Sequence, residues 1–390
     1  MAFLRKYVFL LTLALPICSF AANIITGAEQ TSTYLPVLKG KKIALVVNQT
    51  SKIGNTHLVD SLLKMGINIQ VIFAPEHGFR GNVSAGTTVN NGKDDKTGIR
   101  IISLYGSHKK PTHDDLKDIQ LVVFDIQDVG VRYYTYISTM HYVMETCAEL
   151  NVPFMVLDRP NPNGHFIDGP VLDTSYRSFV GMHQIPLVHG CTVGELAGMI
   201  NGEGWLNKKM KCDLTVITCK NYTHNTEYIL PVRPSPNLQT QSAIYLYASL
   251  GLFEGTTISM GQGTDKPYQC FGSPANDWGN FNFTPYSIKG VAEKPKSLGI
   301  PCTGFDLTDY GLKKARSEAE INLNWLVMSY KLSKNKPQFF NDFFDKLAGT
   351  AQLKKQIIEG KSVLEIKQSW QKGLDNYRLM QRPYLLYEWR

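Results

Sequence analysis

The sequence predicts an α/β fold, a Rossmann-like parallel sheet domain followed by a second domain, and three observations carry the prediction. From Lys41 onward, short β-branched runs alternate with amphipathic stretches, the pattern of a parallel sheet with helices on its faces. Each run empties into polar or conformationally special residues, as expected where loops diverge beyond strand ends and leave a crevice. At 390 residues the chain is longer than one hydrophobic core usually serves, so two domains are expected.

The elements follow in order. Arg5 and Lys6 precede an apolar stretch over 7–17 and then small residues around Ser19, Ala21 and Ala22, the layout of a secretory signal peptide over 1–22. That stretch is short for a membrane span, and no later segment approaches about twenty uninterrupted apolar residues. The mature chain is therefore expected to be exported, periplasmic or secreted, without stable membrane insertion. Cys18 follows Leu15-Pro16-Ile17, which lacks the small residue that precedes a lipidated cysteine, so lipid anchoring is the weaker reading.

Strands are predicted over 43–48, 69–73, 101–104, 121–124 and 154–157, with helices over 57–65, 114–117 and 139–150. No G-x-G-x-x-G follows the first strand, where Asn48-Gln49-Thr50 stands instead, so the dinucleotide fingerprint is missing. After a further helix over 193–201 the texture changes. The segment 212–280 is rich in proline, glycine and aromatics, with 233–237 and 251–266 as loop-like pieces. Helices return over 318–330, 337–347, 351–359 and 362–372. A boundary near Asn207 divides a first domain, 23–207, from a second, 208–390.

Composition narrows the function classes. The formal charge of +8 falls to +6 once Arg5 and Lys6 leave with the signal, 39 basic residues against 33 acidic. So mild an excess favours anionic glycans without indicating nucleic acid. Six cysteines remain in the mature chain, without a C-x-x-C pair. Cys212 and Cys219 are close enough in sequence to bridge, but isolated buried thiols are the favoured reading. The histidines lack the i, i+4 spacing of a helical zinc pair, G-x-S-x-G is absent, and so is a phosphate loop of Walker type. No metal or organic cofactor is expected.

The residues after the strands are the candidates for chemistry. Glu76 ends the second run between Pro75 and His77, where an apolar strand mouth can desolvate a carboxyl group and favour its protonated form. That suits a general acid. Asp125 and Asp128 follow the fourth run and precede Arg132 and the tyrosines Tyr133, Tyr134 and Tyr136. They are candidates for the second charge that glycoside hydrolysis needs, and the tyrosines for stacking on a sugar. Asp158-Arg159-Pro160-Asn161 forms a stiff polar loop. Arg80, Arg132, Arg159 and Arg233 are candidates to hold a carboxylate with a two-pronged guanidinium contact. Asn48 and His77 add strand-end polar groups, while Asn237, Glu254, Gln262 and Asp265, in glycine-rich loops, fit a cleft wall facing the first domain.

Several of these blocks resemble one family. Val47-Asn48-Gln49-Thr50, the run from Phe73 to Gly81 containing Ala74-Pro75-Glu76-His77-Gly78, and the run from Phe124 to Tyr136 are its most distinctive pieces. Leu157-Asp158-Arg159-Pro160-Asn161-Pro162, the run from His189 to Glu195, and Leu252-Phe253-Glu254-Gly255-Thr256-Thr257 continue the series in order. Together they are similar to the exo-β-N-acetylmuramidases of the NamZ/YbbC type, long catalogued as a domain of unknown function. The resemblance extends from Asn23 to the C-terminus, with Val131 and Cys191 standing where alanine and methionine are expected.

It implies a Rossmann-like first domain, a smaller α+β second domain and an active site in the cleft between them. It also implies the reaction, release of unsubstituted N-acetylmuramic acid from non-reducing ends in cell-wall recycling, and places the family's proposed catalytic glutamate on Glu76. On that reading Glu76 protonates the glycosidic oxygen, Asp125 or Asp128 supports the positive centre or activates water, and an arginine grips the lactyl carboxylate. Two rivals stand beside it: a non-catalytic periplasmic sugar-binding protein, and an amidase or esterase acting on the same polymer.

Overall fold

A computed structural model describes residues 23–79, 91–274 and 277–389; the signal segment and Arg80 lie outside the described residues. Seven strands form the main sheet: β1 (Lys42–Val47), β2 (Asn68–Ala74), β3 (Gly92–Lys93), β4 (Arg100–Ser103), β5 (Leu121–Asp125), β6 (Phe154–Leu157) and β7 (Leu214–Ile217). Their spatial order is β3-β4-β2-β1-β5-β6-β7, parallel throughout except for the edge pair β3–β4. After β1 the chain winds outward through β2 to β4, then crosses to β5 on the other side. The strand order therefore reverses at β1, and the crevice of an open parallel sheet forms beyond the carboxyl ends there.

The central strands are apolar on both faces because helices cover both. Ile43, Leu45 and Val47 point to one core with Ile72, Leu121 and Val123, packed beneath α1 (Thr31–Leu38) and α2 (Leu58–Lys64). Ala44 and Val46 point to the other with Phe73, Val122 and Phe124, the period-two alternation of a strand. That second core is covered by α3 (Tyr136–Leu150) and α4 (Val193–Gly202) and continues without interruption into the C-terminal half.

The second half departs from the expected pattern in several places. Strand β7 pairs with β6 in parallel register, Leu157 beside Ile217, so the main sheet extends past the boundary read near Asn207. Between the loop-like pieces 233–237 and 251–266 stands a helix the sequence did not predict, α5 (Gln241–Leu250), whose N-cap Thr240 accepts from the Ala243 amide at 3.1 Å. Nearly all of α5 is buried, so it carries no amphipathic stripe for a sequence pattern to reveal. A small antiparallel sheet follows, β8 (Cys270–Ser273), β9 (Phe281–Phe283) and β10 (Cys302–Asp306), in the order β8-β10-β9.

The helix expected over 318–330 is interrupted, since Ala319 takes a left-handed φ of 50° and α6 starts only at Asn324, running to Leu332. Similarly, α7 is confined to Phe344–Ala348, α8 spans Gln352–Ile358, and α9 runs to 19 residues, Val363–Gln381. The cysteines from Cys147 to Cys302 are all buried and free. Among the described residues no helix is long and apolar enough to cross a membrane.

Candidate active site

A cavity of about 380 Å³ opens beyond the carboxyl ends of β2 and β5, walled on its far side by residues on and after α5. The sequence builds its near wall from a sharp turn. Pro75 follows β2 directly, His77 sits at φ 69° and Gly78 at φ 78°, and the Gly78 amide donates to the Pro75 carbonyl at 2.9 Å. A non-glycine residue in the left-handed region is held there by its surroundings, and the turn aims Glu76 and His77 at the cavity. The Thr135 hydroxyl donates to Glu76 Oε2 at 2.8 Å.

Six tyrosines stand among the remaining lining residues. Tyr134 and Tyr136 meet edge to face at 4.8 Å, Tyr134 and Tyr247 at 6.0 Å, and Tyr247 and Tyr268 at 5.0 Å. The Tyr134 hydroxyl donates to the Pro234 carbonyl at 2.8 Å, which pins the loop carrying Ser235 and Asn237. Burial pushes the Tyr134, Tyr247 and Tyr268 phenols well above their usual range, so they stay neutral donors. Asn237 is 5% exposed, and its amide nitrogen donates to the Val291 carbonyl at 3.1 Å. Its Oδ1 has no hydrogen-bond partner, which leaves one buried acceptor at a cavity-lining residue for a ligand donor.

Glu254 enters from the second half, on the short 3₁₀ segment Gly251–Gly255. Glycine is needed at both ends by close approach: a Cβ on Gly251 would meet the Tyr133 ring at 2.5 Å, and one on Gly255 the Phe344 Cα at 2.4 Å. Gln262 donates to the Tyr268 hydroxyl at 3.0 Å, and that hydroxyl donates to Glu254 Oε1 at 2.5 Å. The Lys296 ammonium caps the segment, donating to the carbonyls of Phe253 at 2.6 Å, Glu254 at 3.0 Å and Thr256. Burial raises the Glu254 carboxyl above its ordinary value, with the charge of Glu76 adding to the rise and Tyr268 and Lys296 opposing it. Lys296 itself is brought down by burial to about 8.

The structure thus brings Glu76, His77, Tyr134, Asn237, Glu254 and Gln262 to one cavity, and it places the other expected residues elsewhere. Asp125 is fully buried and receives the Arg159 guanidinium at 2.5 and 2.9 Å. Both are consumed by that pair and line no part of the cavity. Asp128 accepts from the Gly130 amide at 2.7 Å and lies behind the tyrosines, where its charge adds to the rise of the Tyr134 and Tyr136 phenols.

Arg132 is buried entirely and donates to the carbonyls of Pro170, Ile185, Leu347 and Ala348 at 2.7 to 3.1 Å. It is a tie between the halves, not a carboxylate clamp. Asp158 takes the Thr192 hydroxyl at 2.8 Å and the Tyr387 hydroxyl at 2.6 Å, Asn161 donates to the Cys191 carbonyl at 2.8 Å, and Asn48 accepts from Thr50. These three hold loops in place. Arg233 is exposed and faces a neighbouring cavity. No arginine or lysine stands among the described residues that line the main cavity.

Thr135, Tyr247, Tyr268 and Lys296 were not singled out from the sequence. Thr135 lies inside the block that supplied the flagged tyrosines, so its neighbours pointed to it. Lys296 has no local signal at all, since its partners are backbone carbonyls some forty residues away in the chain.

Two carboxyl groups facing one tyrosine-walled cavity are the equipment of a glycoside hydrolase. Residues 43–242 match the domain described as exo-beta-N-acetylmuramidase NamZ, N-terminal, and residues 245–387 match its C-terminal counterpart. The chain is also 39% identical over 375 residues to the peptidoglycan beta-N-acetylmuramidase NamZ of Bacillus subtilis (strain 168), covering 91% of this chain and 89% of that protein. Two crystal structures of DUF1343 family proteins from Bacteroides fragilis NCTC 9343 share the fold. One is 47% identical with a TM-score of 0.86, the other 28% identical with a TM-score of 0.78, each comparison covering 94% of this chain and 99% of the solved one. The chain belongs to the exo-beta-N-acetylmuramidase NamZ family of glycoside hydrolases.

Proposed function

We propose that this enzyme, exported by its N-terminal segment, releases N-acetylmuramic acid from the non-reducing end of peptidoglycan-derived glycans, using Glu76 and Glu254 as its two catalytic carboxyl groups. The observation that carries the reading is that these two side chains, from opposite halves of the chain, line one cavity. Its volume, about 380 Å³, lies within the range of small-ligand sites. Glu254 takes the acid role expected of Glu76, because burial and the facing Glu76 charge favour its protonated form. It gives that proton to the glycosidic oxygen as the bond breaks. Glu76, held by Thr135, faces the anomeric carbon as a carboxylate that supports positive charge or activates water. Tyr134 supplies a ring surface for the sugar, Asn237 accepts a substrate N–H or O–H, and His77 and Gln262 complete the polar lining.

The test compares Glu76→Gln and Glu254→Gln on the disaccharide with N-acetylmuramic acid at its non-reducing end and on an aryl glycoside of the same sugar. Both variants are expected to lose about a hundredfold or more on the disaccharide. On the aryl glycoside, whose leaving group needs no proton, Glu254→Gln should approach wild-type turnover while Glu76→Gln stays impaired. The reverse pattern would return the acid role to Glu76. Release of a peptide or acetate without free sugar, or tight binding of an uncut fragment, would overturn the hydrolase reading for this substrate.

A further inference from the structure

A second cavity, about 430 Å³, lies on the other side of the loop that walls the first, and Ser235 lines both. Its floor is the tight hairpin of Lys52–Ile53 against Thr56–His57, which follows β1; its other wall is the loop carrying Val232, Arg233 and Pro236. The loop is fixed through its backbone, since the Gln49 side chain donates to the carbonyls of Arg233 at 3.2 Å and Pro234 at 2.9 Å. Such anchoring leaves the Arg233 side chain outside the loop's own bonding.

The charges in this cavity do not cancel. Lys52 and Arg233 both line it, and neither forms an ion pair with a carboxylate among the described residues. The one carboxylate among the described residues of its wall, Asp60, is already paired with Lys96 at 2.5 Å. His57 is turned to the protein, its Nε2 at 2.8 Å from the Asn48 carbonyl. Two uncompensated cations on a preformed concave surface next to a reaction cavity favour an anionic group on whatever extends from that cavity. The main cavity, by contrast, has no described lysine or arginine on its walls.

We infer that this second cavity is a carboxylate subsite for the downstream part of the glycan, with Lys52 and Arg233 holding the acidic group of the next muramyl unit while the terminal sugar occupies the main cavity. The inference rests on the proposed function. A muramyl unit recurs two rings beyond the terminal one in an alternating chain. It presents either a lactyl carboxylate, when unsubstituted, or the carboxylates of a stem peptide. A disaccharide ending in N-acetylglucosamine has no such group and cannot use the subsite.

The experiment measures kcat/KM for the wild type and for the Lys52→Met, Arg233→Met double variant on that disaccharide, on the peptide-free tetrasaccharide, and on a tetrasaccharide with a stem peptide on its third ring. The double variant should lose about tenfold on a tetrasaccharide, at low salt, while its disaccharide kinetics stay unchanged. Added salt should erode the wild-type advantage on the longer substrate in the same way. A loss confined to the peptide-free tetrasaccharide identifies the lactyl group, and one confined to the substituted chain identifies the peptide. Equal effects on disaccharide and tetrasaccharides, or no effect on any, would overturn the subsite. Failure of the wild type to cleave the disaccharide would instead refute the underlying activity.

Discussion

Glu254 holds its proton to higher pH than an exposed glutamate because burial removes water from the charged form and Glu76 faces it. Between its ordinary value of 4.5 and its raised one, the folded chain keeps a proton that the unfolded chain has released. Linkage then makes stability fall as pH rises through that window. Glu254→Gln cannot ionise but keeps an acceptor for Tyr268, so it should melt above the wild type at about pH 7, with the gain shrinking as the pH falls to about 4. A thermal shift series across pH checks this, and equal melting at all pH values would count against a charged, buried Glu254. The same protonation predicts that wild-type kcat declines as pH rises through the Glu254 transition.

At the level of the element, the place of Glu254 on the cavity wall depends on how its 3₁₀ segment ends. The carbonyls of Phe253, Glu254 and Thr256 converge on the Lys296 ammonium, which stands where a longer helix would have supplied amides. Lys296→Met leaves those acceptors without their donor and is expected to cost at least about 2 kcal/mol, read from the urea midpoint. It also removes a positive charge that lowers Glu254. The alkaline limb of kcat should therefore move to higher pH in this variant, a shift that damage to packing alone would not produce. On the first-domain side, the left-handed His77 and Gly78 perform the corresponding task for Glu76.

Across the whole molecule, the two halves are closer to one body than the two domain matches imply. One buried core runs from Ala44 on the sheet to Tyr377 on α9. Arg132 ties β5's outgoing loop to the end of α7 through the Leu347 and Ala348 carbonyls. The C-terminal tail returns to the sheet, where the Tyr387 hydroxyl donates to Asp158 at 2.6 Å and the Leu386 amide to Glu195 at 2.9 Å. A chain ending at residue 242 would expose that shared core face and orphan these groups. It is expected to lack a cooperative unfolding transition, whereas the intact chain shows a single one. Calorimetry on both forms decides the point, and a truncated form that melts sharply would contradict it.

The sequence by itself determined the parallel sheet, because buried β-branched runs such as 43–47 and 121–124 and their polar outflow are local properties of the chain. It also pointed to Glu76, whose Pro75 and Gly78 neighbours announce a strand end and a turn. Only the tertiary structure decided which acid stands opposite. Asp125 and Glu254 look alike in sequence, each a carboxylate after an apolar stretch, but one is claimed by Arg159 and the other opens into a cavity. Helix α5 was hidden for a related reason, since a segment buried on every side has no polar face to mark its period. The Asp125–Arg159 pair joins residues 34 positions apart and the cavity joins Glu76 to Glu254 from still more distant parts of the chain, so no short window of sequence contains either.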